Sequence, residues 1–285
     1  MSALIELPLD PGFVSGNTPD TIRARLRQIV RSLKFAWDEN SCLLRILGPD
    51  TGYHAADPDL PGLLKTQDPP MDLNDLFHYR SRQEHYDLCF EDCWSGYFIA
   101  DELAKSKDDL VLIHLDDHTD MMPSFLLYTD EGLVNPASGR PFDPQRSEDW
   151  TNAINAGCVS IGDFITPLLY ANRKLHVRHL NNVSASSAQP RKLLRASCFY
   201  PEIPEFRFAS LKQEEGDLQH ADGSYLAGTD PERVLANLPR GQIILHIDLD
   251  YFINDFNGNV GAAATASHSE MRQLALLKLN LFLRP

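Results

Sequence analysis

The run Asp116-Asp117-His118-Thr119-Asp120 sets four side chains able to ligate a metal into five positions, directly after the apolar segment Leu110-Val-Leu-Ile-His-Leu115. In extended backbone alternate residues project to one side, so Asp116, His118 and Asp120 are expected to converge while Asp117 points away. A second apolar segment, Ile243-Ile-Leu-His-Ile, closes in the same way, with Asp248 and Asp250 separated by one residue. Either cluster alone reads more readily as a turn or a helix cap than as a metal site. Carboxylates that end two buried strands repel one another unless cations neutralise them, so the recurrence predicts a bound metal. Oxygen donors with an imidazole suit Mn²⁺ or another borderline divalent ion better than a thiolate-selected one. Two ions sharing carboxylates lower the pKa of a water between them and present hydroxide to an electrophilic carbon, which is hydrolysis without a side-chain nucleophile.

Such a site needs both acidic ends in one crevice, as at the carboxyl ends of neighbouring parallel strands. The spacing predicts an amphipathic helix over Thr21–Trp37, from Ile22, Leu26, Ile29, Val30, Leu33 and Trp37, followed by a strand at Cys42–Leu47. A long loop or accessory lobe is expected over Gly48–Pro70. Strands are expected at Tyr86–Phe90, Leu110–Leu115, Lys174–Leu180 and Gln242–Leu249. Helices are expected at Tyr97–Lys105, within Ile154–Asn172 and from Pro231 to Leu238. Strands interleaved with helices predict an α/β fold with a mostly parallel central sheet and helices on both faces.

With 285 residues, 43% of them hydrophobic, the chain can bury one large core, and a single domain over 1–285 is expected, residues 1–75 forming an N-terminal helix and a loop-rich accessory region. Forty acidic against 26 basic side chains give a net charge of −14, which repels phosphate backbones and argues against nucleic acid as a partner. The same charge is compatible with a cationic substrate and, equally, with solubility alone. The odd set Cys42, Cys89, Cys93, Cys158 and Cys198 has no paired CxxC spacing, so neither a disulfide framework nor a zinc knuckle is expected, and a cytoplasmic location fits. The amino terminus lacks the basic and apolar regions of a secretion signal, and no apolar run is long enough for a membrane span. A homo-oligomer fits this composition as well as a monomer does.

The segment HLDDHTD (His114–Asp120) resembles the Asp-x-His-x-Asp motif of the arginase/agmatinase (ureohydrolase) family, and HIDLDYF (His246–Phe252) resembles that family's Asp-x-Asp motif, in the same order. Taken together, LIHLDDHTD and HIDLDYF are most similar to the peptide arginases, which convert arginine to ornithine in ribosomally made peptides, and the resemblance covers mainly residues 85–255. It implies a three-layer arginase-like fold and a centre of two Mn²⁺ ions. Asp116 and Asp248 would bridge the metals, Asp120 would serve the first ion, and His118 and Asp250 the second. Asp120 and His118 are the implied catalytic residues, and an arginine-containing precursor peptide, losing urea, is the implied partner.

The chain departs from the family pattern at three places. Where the family supplies another histidine ligand, the chain has Phe90-Glu91-Asp92-Cys93-Trp94; Cys93 fits by spacing, Glu91 or Asp92 as oxygen ligands, and a buried, inert Cys93 fits equally well. Met121–Trp150 has no histidine to match the family's proton shuttle, so a pocket wall over Pro123–Asp149 shaped for a larger, peptide-borne arginine is expected. The guanidinium-binding glutamate of the family lies on a strand beyond the second motif. Ser267–Leu283 reads as a helix that such a strand would follow, so a longer natural chain is expected, with Asp255 or Glu270 as the alternative contact.

His176 and His179, three apart on a strand, should face opposite sides and not share an ion. His114 and His246 each precede an acid by two residues, where they could reach the cleft, support the ligands or simply be core histidines. GCVSIGDFI (Gly157–Ile165) lacks the spacing of a nucleotide loop, and there is no GxSxG elbow. Two rival functions stay open: a metal-dependent amide hydrolase of deacetylase type, and a binding protein that keeps the fold without catalysis.

Overall fold

A computed structural model describes residues 4–38, 41–52, 60–182 and 189–252. Its strands are β1 (Ile5–Pro8), β2 (Leu33–Trp37), β3 (Leu43–Pro49), β4 (Arg80–Arg82), β5 (Asp87–Cys89), β6 (Leu110–Leu115) and β7 (Leu127–Thr129). They continue as β8 (Gly132–Asn135), β9 (Arg140–Phe142), β10 (Leu175–Leu180), β11 (Arg191–Tyr200), β12 (Ile203–Glu214), β13 (Gly223–Gly228) and β14 (Gln242–Ile247). The helices are α1 (Pro11–Ser15), α2 (Pro19–Val30), α3 (Leu60–Lys65), α4 (Leu73–Phe77), α5 (Ser95–Leu103), α6 (Ser147–Ala156), α7 (Ile165–Leu168) and α8 (Pro231–Val234). The chain divides into two units, one of Met1–Lys107, Asp120–Arg173 and Leu194–Lys212, the other of Asp108–Thr119, Lys174–Leu193 and Gln213–Pro285.

In the first unit, β1, β3 and β2 form an antiparallel sheet whose alternation buries Ile5, Leu7, Leu44 and Ile46. Helix α2 starts at a Thr18 cap with Pro19 in the first turn and buries Ile22, Leu26, Ile29 and Val30. It stops at Val30, because Arg31 takes a left-handed φ of 36°. The expected helical stretch to Trp37 is therefore corrected: Leu33, Phe35 and Trp37 also fit period two, and pairing with β3 wins over helix continuation. Likewise β5 does not open a parallel unit; it folds back on β4 as an antiparallel pair, Arg80 opposite Cys89. Expected helix within Ile154–Asn172 is also reduced. Helix α6 begins earlier and ends at Gly157, whose φ of 76° suits a residue without Cβ, and only the short α7 follows. Residues 127–142, in the expected pocket wall, form the antiparallel ribbon β7-β8-β9.

In the second unit, β14, β6, β10 and β13 run parallel in that order, and Arg191–Leu193 of β11 pair antiparallel with β13. Strands β6, β10 and β13 are short and almost wholly buried, as expected for strands covered on both faces, whereas β14 alternates and leaves Ile243 and Leu245 exposed. Leu115 and Leu180 pack with Val234 of α8 and with Ile113, Leu235, Ile247 and Tyr251. Helix α8 is shorter than expected, since Asn237 adopts a left-handed φ of 51° and Pro239 follows.

The fold is α/β, and its large sheet of nine strands is mixed. The expectation of a mostly parallel sheet is corrected: parallel pairing joins β14, β6, β10 and β13, whereas β7, β8 and β9 are linked by hairpin turns too short for a crossover, which dictates antiparallel pairing. No helix among the described residues is long and apolar enough to cross a membrane.

Helices α5 and α6 meet where Gly96 lies under the fully buried Trp150 ring, and a Cβ on Gly96 would overlap that ring. Gly96→Ala is expected to destabilise the protein by about 1–3 kcal/mol through overpacking, read as a lowered melting temperature.

Candidate metal centre

Parallel pairing of β6 with β14 sets His114 directly opposite His246, and the ladder continues past both strands, the Asp248 amide donating to the Leu115 carbonyl at 2.9 Å. The two acidic segments, far apart in sequence, therefore leave the sheet side by side. Period two puts His114 and Asp116 on one face of the sheet with His246 and Asp248.

Asp116 is fully buried and held at several points. Its amide donates to Leu180 O at 3.1 Å, its carbonyl accepts from His179 Nε2 at 2.8 Å, and its Oδ1 accepts from the His118 amide at 2.5 Å. A carbonyl only accepts, so His179 carries its proton on Nε2, and Nδ1 accepts from Tyr225 OH at 2.8 Å. Oδ2 of Asp116 is buried without a hydrogen-bond partner, 3.6 Å from His114 Nε2. Oxygen of a buried carboxylate is costly to leave so, and a cation is the ligand that relieves it.

The tautomer of His114 follows from the same logic. Nε2 lies 3.2 Å from the His118 carbonyl and donates to it, leaving the Nδ1 lone pair directed at His246 Nδ1, 3.0 Å away. That separation fits a hydrogen bond from His246; it also fits two nitrogens bound at right angles about 2.1 Å from one ion. One donor atom each from His114, Asp116 and His246 lie within 4.8 Å of one another, and among the described residues no other three such side chains gather this way. Burial holds His114 well below the usual histidine range, and the neighbouring His246 and His179 push the same way. Its ring is thus neutral, as a metal ligand must be.

The structure gathers Asp116 and His118 of the expected ligands: His118 Nδ1 is 3.5 Å from Asp116 Oδ1 and its side chain is 47% exposed. Asp248 stands beside them in register, half-buried. Asp250 falls in the 3-10 turn Leu249–Tyr251, and its side chain lies outside the described residues, as do Asp255, Glu270 and the expected helix Ser267–Leu283. Asp120 and Cys93 belong to the other unit. Asp120 is buried with a left-handed φ of 48°, so the extended alternation expected over 116–120 ends with β6 at Leu115. Cys93 sits in the 3-10 turn Asp92–Trp94, where burial and then the Asp92 and Glu91 carboxylates push its thiol well up, as suits a protonated core side chain. His176 and His179 face opposite sides, bonding Ser224 and Tyr225 respectively. His114 and His246 belong to the cluster itself; the signal was their place two residues before each acid.

No protein-family model, no curated protein and no solved structure matches the chain.

Asp116→Ala is expected to remove bound divalent metal, measured by elemental analysis of protein dialysed against Mn²⁺ or Zn²⁺. In metal-free protein the lowered His114 pKa means that the unfolded chain takes up a proton near pH 6.5 while the folded one does not, so stability falls as pH drops below that value. His114→Gln should flatten this slope in melting curves recorded between pH 7 and 5.

Proposed function

We propose that this chain is a metal-dependent hydrolase of arginase type, which removes urea from an arginine side chain in a peptide and leaves ornithine. The observation that supports it is the in-register parallel pairing of β6 and β14, which puts Asp116 and Asp248 at adjacent strand ends with His114 and His246 beneath them. The nitrogen and oxygen donors fit a borderline divalent ion, with Mn²⁺ the first choice, and the bare Asp116 Oδ2 fits a cation. By the resemblance, Asp116, His118, Asp120, Asp248 and Asp250 would hold two ions within a three-layer arginase-like fold. A divalent ion there supplies Lewis acidity, lowering the pKa of water towards neutrality.

The chain's own residues do the rest. The His179–Tyr225 pair fixes the Asp116 backbone, so its carboxylate keeps one orientation. His118, half-exposed beside Asp116, would hold its ion on the side of the site that faces solvent. The surplus of acidic side chains attracts a cationic arginine.

A second reading, a one-ion amide hydrolase, draws on the His114-Asp116-His246 cluster, the one such group among the described residues. Mn²⁺-loaded protein coexpressed with an arginine-containing precursor peptide separates the two. Loss of CH₂N₂ at arginine by mass spectrometry, with urea in solution, is expected, and Asp250→Asn should abolish both. Acetate released from an acyl-lysine peptide without urea would establish the second reading instead.

A further inference from the structure

The opposite face of the parallel sheet carries a second group of polar side chains that the metal reading does not use. Arg178 of β10 is 4% exposed, and among the described residues no carboxylate pairs with its guanidinium. Nη1 donates to Val177 O and to Ser224 Oγ, each at 3.3 Å, while no acceptor meets Nε. Ser224 of β13, 1% exposed, lies 2.8 Å from His176 Nδ1. His176 Nε2 is 3.8 Å from Asp109 Oδ2, and Asp109 Oδ1 accepts from the Lys174 amide at 3.1 Å. Strand register sets His176 beside Ser224, with Arg178 two residues further along the same face.

Guanidinium stays charged at any pH a protein survives, and a buried charge without a counter-ion is strongly unfavourable. Burial lowers the Arg178 pKa, and among the described residues no opposing charge offsets it. The Nε edge of a guanidinium is the one that grips carboxylate and phosphate in a two-pronged fork. Beside it, the Ser224 hydroxyl adds a further polar group and His176 a ring that gains a donor when protonated.

We propose that Arg178, Ser224 and His176 form a binding site for a small oxyanion, on the sheet face opposite Asp116. A bound oxyanion supplies the counter-charge that no described residue gives Arg178. Asp109, close to His176, restricts the site to compact anions by repelling bulkier negative groups at that end.

Thermal melting of the full chain in chloride buffer at constant ionic strength, titrated with inorganic phosphate and separately with acetate, tests this. A saturable rise in melting temperature is expected, and the stronger of the two anions identifies phosphate-like or carboxylate ligands. Arg178→Lys, which keeps the charge but loses the fork, should weaken the response roughly tenfold, and Arg178→Met should abolish it while melting at or above wild type without anion. Asp116→Asn should respond as wild type does, since its carboxylate lies on the other face. No saturable rise with either anion, or an equal rise in Arg178→Met, overturns the proposal; a response lost in Asp116→Asn assigns the anion to the metal cluster and overturns it as well.

Discussion

The hydrogen-bond ladder between β6 and β14 is the constraint on which the candidate centre depends. Parallel strands paired in register must deliver their carboxyl ends at the same level, so the ladder that matches His114 with His246 also places Asp248 beside Leu115 and next to Asp116. A slip of one residue would turn His246 and Asp248 to the opposite face and scatter the donors. The apolar composition of β6 therefore does more than build a core: by packing Leu110, Val111, Leu112 and Leu115 in full burial, it fixes the strand against which β14 takes its register.

Burial then decides how those donors behave. Asp116 is anchored by the Leu180, His179 and His118 backbone and side-chain contacts while Oδ2 stays bare, so the site is stiff in geometry and short of positive charge. The same low-polarity surroundings keep His114 neutral. A neutral imidazole beside an unrelieved carboxylate oxygen is a poor ion pair and a good pair of ligands, which is the physical content of the metal reading.

Apolar runs made β6, β10 and β14 legible: β6 and β10 are buried on nearly their whole length, β14 is as apolar in sequence although Ile243 and Leu245 are exposed, and the limits of all three coincide with polar residues. The acidic ends were legible for the same reason. Other segments misled. Leu33, Phe35 and Trp37 satisfy both helical and strand spacing, and only the β3 partner decides between them. Strands β7, β8 and β9 are three or four residues long, below the length at which periodicity speaks, and β11 and β12 carry many half-exposed positions that blur alternation. In the 116–120 run, the extended geometry assumed for all five residues holds only as far as β6 itself, and the left-handed turn at Asp120 is invisible to a composition pattern.

Alternation along β10 has a further consequence. His179 faces the side where Asp116 stands and bonds its carbonyl; Arg178, one residue earlier, faces the other side and bonds Ser224. A buried carboxylate oxygen and a buried guanidinium would neutralise each other if they shared a face, and neither would then need a ligand. The pleat separates them across the sheet, so among the described residues each side keeps a buried polar atom without a hydrogen-bond partner, Asp116 Oδ2 on one face and Arg178 Nε on the other. Stability alone favours pairing or deleting both charges, which makes their separation by one residue of a single strand an argument for two ligands rather than for a structural ion pair.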